Sequence, residues 1–160
     1  NNKTKIIKLG IPGEFIGLNS IFGEDTYSYS AAALEKTMIY IIDRHMFEQI
    51  IRHNGHYSHE LLKTISSENL TIFKRLISQS QKQLPGRIAD IILYFSEMIY
   101  QSQDFTFPLT RSELAELAGT TKESLIRTLT EFKNDKIIKL EGKKVHIISY
   151  DIIKTLSRLG

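Results

Sequence analysis

Glu123 and Arg127 stand four residues apart in the run Thr121-Lys122-Glu123-Ser124-Leu125-Ile126-Arg127, where Leu125, Leu129 and Phe132 recur at helical spacing. A helix turns about 100° per residue, so burying those three carries Glu123 and Arg127 together onto the opposite face. Lys122 flanks them at the amino end and is expected among the base-reading residues. A guanidinium there can grip guanine O6 and N7 in the major groove of a duplex, and a carboxylate can accept from cytosine N4, so the pair could read one G·C step. The plain alternative is a surface ion pair with Glu ahead of Arg, worth roughly a few tenths of a kcal/mol. The elements around this segment favour the first reading.

Thr110 followed by Glu113 makes a capping box that opens a helix over Arg111–Ala118, and Thr120 followed by Glu123 makes a second that opens a reading helix over 121–134. Between them Gly119 suits a tight turn, with Ala115 four residues before it and Leu125 six after it. This is the spacing of a helix-turn-helix. Next, Glu141-Gly142-Lys143-Lys144 separates two β-prone runs, Ile137–Leu140 and Lys144–Ile148, and reads as a wing with two lysines at its tip. From Thr120 to Lys144 there are seven Lys or Arg against four Asp or Glu, so the basic excess sits beside the reading helix. Lys143 and Lys144 on the wing, and Thr110, Arg111, Thr121 and Ser124 at helix amino ends, are the expected contacts to a phosphate backbone.

Ahead of this segment, residues 1 to about 45 read as strands and turns: Lys5–Leu9, the turn Pro12-Gly13-Glu14, Phe15 with Ile16, Tyr27–Leu34 and Met38–Ile42. That is too little sheet to close on itself, which implies an incomplete, open roll. A short helix is expected at Arg44–Arg52. In the stretch from His56 to Gln83, Leu62, Ile65, Asn69, Ile72 and Leu76 step by three and four. This seam suits two parallel copies of the helix, with the Asn69 amide helping to set register, and its alternative is packing within one chain. Pro85 opens the next helix, which runs to about Tyr100 with Ile88, Ile91, Ile92, Phe95 and Ile99 inward; a loop follows from Gln101 to Leu109, and Asp151 starts a terminal helix. The organisation is therefore α+β: an effector domain at 1–55, a dimerisation helix at 56–84 and a winged helix-turn-helix at 85–160.

Composition bounds the function. The 160 residues are 41% hydrophobic and 24% charged, with a net charge of +3, which describes a foldable globular chain. No apolar run is long enough to span a bilayer and no signal peptide is recognisable, so a cytoplasmic protein without a membrane partner is expected. With no cysteine, disulfides, thiolate zinc sites and cysteine-ligated clusters are excluded within these residues. His53, His56 and His59 are spaced by three but lack a carboxylate to orient their rings, so they are expected to be solvated rather than metal ligands. Gly10, Gly13 and Gly17 precede no Lys-Ser or Lys-Thr at phosphate-loop spacing, and no nucleophile elbow or paired carboxylates occur, so no enzyme activity is expected.

Taken in order, these parts resemble the cyclic-AMP receptor protein and fumarate-nitrate regulator superfamily over essentially the whole chain. Gly13-Glu14-Phe15-Ile16-Gly17 through Leu34-Glu35 and Ile41-Ile42 is similar to the second half of that family's β-roll, and Phe47–Ile51 to its short helix. His56–Gln83 is similar to its dimer helix, and Thr121–Arg127 to its recognition helix. The resemblance implies a transcription regulator that binds an inverted-repeat DNA operator as a homodimer, with Glu123 and Arg127 as base readers. It leaves room for RNA polymerase and an unidentified small effector as further partners. Ile126 stands where related members carry Ser or Gly, so an added base contact there would be apolar, to a thymine methyl. Family members begin with several more strands before the equivalent of Asn1, so the resemblance implies a roll lacking about its first half, either cut away or unseen. Members that bind cyclic nucleotides hold the phosphate with an Arg-Ser pair and the ribose with a Glu. Here those places read Tyr29-Ser30 and Leu18, so cyclic-AMP binding does not carry over and the effector, like any cofactor, stays unknown. The competing reading from another class is a regulatory module that docks a protein partner through the roll and winged helix.

Overall fold

The computed structural model describes residues 5–23 and 26–160, and the chain divides into two compact units, Gly10–Lys74 and Arg75–Gly160 with residues 5–9. In the first, Asp43 accepts the Met46 amide at 2.9 Å and so caps α1 (Arg44–His53), whose Phe47 is 3% exposed. Phe47 packs with Leu18 and with Leu61 of α2 (Gly55–Gln81), and Phe15, Ile21, Ile51, Tyr57 and Ile65 close around them.

The strands expected at Lys5–Leu9, Phe15-Ile16, Tyr27–Leu34 and Met38–Ile42 do not form. Among the described residues before α1 there is no β-ladder; the expected turn forms at Pro12-Gly13, and a 3₁₀ turn follows at Leu18–Ser20. Alternating apolar side chains favour an extended backbone, but a strand is completed only by a neighbour's N–H and C=O groups, and no two of these runs pair. Met38–Ile42 therefore has no regular structure and its side chains lie outside, Ile41 at 93%. Residues 6–9 instead lie on the second unit, where Ile6 and Leu9 pack on the core. There Arg75 donates to the carbonyls of Ile6 and Ile7, and Tyr94 donates its hydroxyl to that of Leu9 at 3.2 Å.

The second unit gathers one apolar core from every element. Helix α3 (Leu84–Leu93) takes Pro85 in its first turn and contributes Ile88, Ala89, Ile91 and Ile92. It continues into a π-helical turn, Tyr94–Ile99, in which the Tyr100 amide reaches back to the Phe95 carbonyl at 2.9 Å. Gly86 allows α3 to meet the terminal helix α6 (Tyr150–Leu159) backbone to backbone, since a Cβ there would lie 2.6 Å from Gly160 Cα.

The segment expected as a loop at Gln101–Leu109 contains a strand, β1 (Asp104–Thr106). Phe105 and Phe107 point inward and Thr106 outward, but three residues are too few for period-two alternation to identify alone. β1 pairs antiparallel with β3 (Lys144–Ile147), which pairs antiparallel with β2 (Ile138–Glu141), giving the order β1-β3-β2. Between β1 and β2 the chain forms α4 (Arg111–Ala118) and α5 (Lys122–Asn134), close to the expected bounds.

Candidate nucleic-acid interface

The turn between α4 and α5 sets the start of α5. Gly119 adopts φ 64, ψ 45, and its amide bonds the Glu116 carbonyl while the Thr120 amide bonds that of Ala115. This is a Schellman closure, and it changes which residue can cap α5. Thr120 is occupied in ending α4, so the cap is Thr121, whose Oγ1 accepts the Ser124 amide at 3.2 Å. The second capping box expected at Thr120 and Glu123 does not form, and the cap lies one residue later at Thr121. Glu123 remains free of capping work.

Leu125, Thr128, Leu129 and Phe132 form the buried face of α5. Lys122, Glu123, Ile126 and Arg127 all lie on the exposed side, Ile126 at 42%. The surface pair weighed from sequence, Glu123 with Arg127, is absent. Arg127 Nε lies 4.0 Å from Glu131 instead, and Glu123 has no hydrogen-bond or ion-pair partner among the described residues. One carboxylate, one guanidinium and one ammonium therefore stand in solvent on one side of the first two turns of α5.

A second group forms where α4 begins. Thr110 Oγ1 accepts the Glu113 amide at 3.3 Å and Glu113 Oε2 accepts the Thr110 amide at 2.7 Å, the full capping box. Arg111 turns inward to the wing: Nη2 donates to the Gly142 carbonyl at 2.5 Å, the guanidinium sits 5.8 Å from the Phe107 ring centroid, and Nη1 is buried without a partner. Burial holds its pKa below the ordinary arginine value. Arg111 thus supports the wing from beneath and leaves Lys143 and Lys144 exposed at its tip. Hydrogen bonds from Thr110, the main-chain amide first, hold the Glu113 carboxyl below its usual range, with Lys143 adding to the effect. A depressed carboxylate stabilises the fold above its unfolded value and loses that contribution as pH falls through the folded one. Melting curves should show Thr110→Ala costing about 1 kcal/mol at neutral pH. The difference between variant and wild type should shrink as the pH drops below 4.5, the ordinary value for this group.

Along α2, Leu62 is 62% and Leu76 51% exposed, Asn69 is exposed and Ile72 half-buried. Ile65 packs on the Leu18, Phe47 and Leu61 cluster of its own unit. Leu70, Phe73 and Ile77 are exposed beside the seam. At the effector positions, Leu18 is 3% exposed in that core, and the Tyr29 hydroxyl accepts the Gly17 amide at 3.1 Å. Sequence reasoning missed Gln79 and Arg87. They bond the Leu117 and Gly119 carbonyls across 38 and 32 residues, and no local pattern marks such a contact.

The profile of the Crp-like helix-turn-helix domain matches residues 86–156, and that of the cyclic nucleotide-binding domain matches residues 1–54. The chain belongs to the Crp/Fnr family. Among Crp/Fnr relatives, the transcriptional activator protein Anr of Pseudomonas aeruginosa is 28% identical over 86% of this chain and 58% of its own length. The transcriptional activator protein FnrL of Cereibacter sphaeroides is 25% identical over 100% of this chain and 66% of its own. The chain thus spans less than two thirds of either relative. The structure of FixK2 from Bradyrhizobium japonicum aligns with a TM-score of 0.68 at 16% identity, over 72% of this chain and 59% of that one, so the Crp/Fnr fold is shared. Of the described residues, no helix is long and apolar enough to cross a membrane.

Proposed function

We propose that the protein is a cytoplasmic transcription regulator that binds duplex DNA as a homodimer, with α5 in the major groove. The observation that carries this reading is the group of Lys122, Glu123 and Arg127, exposed at the capped amino end of α5. Glu123 and Arg127 read a G·C step with Lys122 beside them, while Thr110, Thr121, Ser124, Lys143 and Lys144 contact phosphates and Arg111 holds the wing in place. Ile126, exposed on the same helix, meets a thymine methyl. The exposed residues Leu62, Asn69 and Leu76, flanked by Ile65 and Ile72, support pairing of α2 with its copy, and Phe73 widens that apolar face. Recruitment of RNA polymerase and control by a small effector complete the proposal. Leu18 in the core and Tyr29 on the Gly17 amide favour an effector other than a cyclic nucleotide.

Selection from random duplexes tests the reading. The enriched sites should be inverted repeats with half-sites about 34 Å apart, and affinity should fall with salt by several phosphates' worth of counterion release. Replacing the thymine opposite Ile126 with uracil removes only a methyl and should weaken binding. Unaffected binding with uracil at every thymine would remove Ile126 from the readers. Absence of any enriched duplex would favour docking of a protein partner instead.

A further inference from the structure

The last carbonyls of a helix lack intrahelical partners and must find them elsewhere. At the end of α4 the Gly119 closure serves Ala115 and Glu116. Two carbonyls beyond them are served by side chains from other helices. Gln79, in the last turn of α2, donates Nε2 to the Leu117 carbonyl at 3.2 Å, and Arg87, in the first turn of α3, donates Nη1 to that of Gly119 at 3.1 Å. The turn lies flush on both, since a Cβ at Gly119 would be 3.3 Å from Gln79 Cδ and 3.5 Å from Arg87 Nη1. Arg87 Nε is buried without a partner among the described residues, so the guanidinium gives up one possible bond while holding the turn.

The end of α2 that carries Gln79 is itself tied down. Asp90 of α3 accepts from Ser78 Oγ at 2.5 Å, from Lys82 Nζ at 2.8 Å and from Ser157 Oγ of α6 at 2.5 Å. Gln79 therefore reaches the turn from an anchored position, and the α5 cap, Thr121, is two residues beyond Gly119. We propose that Gln79 and Arg87 are positioning residues for the reading helix, fixing the angle at which Glu123 and Arg127 meet base edges. The inference rests on the DNA reading above. Base-edge hydrogen bonds demand orientation, whereas lysine-phosphate contacts tolerate small rotations, so loosening the turn harms specific binding first.

The test compares the full-length homodimer with its Gln79→Ala and Arg87→Met variants on the selected operator and on a scrambled duplex at one salt concentration. Arg87→Met keeps the buried stem and removes the donors. Each variant should lose roughly three- to tenfold in operator affinity, the scale of one net hydrogen bond, and change less than about twofold on scrambled DNA. In an Arg127→Ala background the operator effect of Gln79→Ala should shrink, because only the Glu123 contact is left for the turn to aim. Equal losses on both duplexes would mean that the variants only reduce the folded fraction, and would overturn the proposal. So would an undiminished Gln79→Ala effect without Arg127, or no change on either duplex. A wild-type protein that cannot tell operator from scrambled DNA would overturn the DNA reading itself.

Discussion

Arg127→Ala should weaken binding to the selected operator roughly 5- to 150-fold, the equivalent of about 1 to 3 kcal/mol for one bidentate base contact. The Arg127 side chain is 72% exposed and its carboxylate partner, on Glu131, is 4.0 Å away, so little holds it back from a base. Because Arg127 makes no buried contact, the variant should melt with the wild type. The loss should be confined to duplexes carrying the preferred base pair, with preference relaxed at that position. Lys143→Ala provides the contrast: removing one phosphate-binding ammonium from the wing tip should weaken all duplexes alike and lower the salt slope by about one. An equal loss on every duplex for Arg127→Ala would refute base reading by this residue.

The largest effect on stability is expected from Phe95→Ala, at about 3 to 5 kcal/mol. Phe95 is 0% exposed in the π-helical turn and meets Phe107 edge-on at 5.1 Å, with Tyr94, Tyr100 and Phe105 between 5.8 and 6.4 Å. Phe105 belongs to β1, and Phe107 lies under the Arg111 guanidinium that supports the wing. Removing the ring leaves a cavity that these neighbours cannot fill without moving the sheet. Denaturant unfolding monitored on the Arg75–Gly160 unit should show the loss, and DNA binding should fall on all sequences as the folded fraction falls. A cost below about 1 kcal/mol would show that the aromatic cluster collapses around the gap.

A different titration lies at Tyr150, at the start of α6. The Tyr150 hydroxyl donates to Glu97 at 2.5 Å, and that bond to a carboxylate raises its pKa to about 12. A raised acid contributes stability below its unfolded value near 10 and loses it between there and 12, so the contact weakens only in alkali.

What was legible in the sequence was local. Thr110 with Glu113, Gly119, and the Leu125, Leu129 and Phe132 stripe specify α4 and α5 to within a residue, because caps, a left-handed turn and 3.6-residue periodicity act within a few positions of one another. The same local logic placed Glu123 and Arg127 on the open face and the lysines on a hairpin tip. It misassigned the α5 cap because Thr120 and Thr121 are chemically equivalent, and only the Ala115 carbonyl decides which one is taken. It left Arg111 among the phosphate contacts, while the Gly142 carbonyl 31 residues away turns it into a support for the wing. It read Met38–Ile42 as a strand from composition, although pairing depends on a neighbour that no single run supplies. Side-chain type and short spacing thus determined α4, α5 and the wing, and placed the candidate reading residues on an open face. The tertiary structure alone decided which carbonyls Gln79, Arg87 and Arg111 serve, because a main-chain acceptor has no signature in the sequence and is matched with its donor only when distant elements pack.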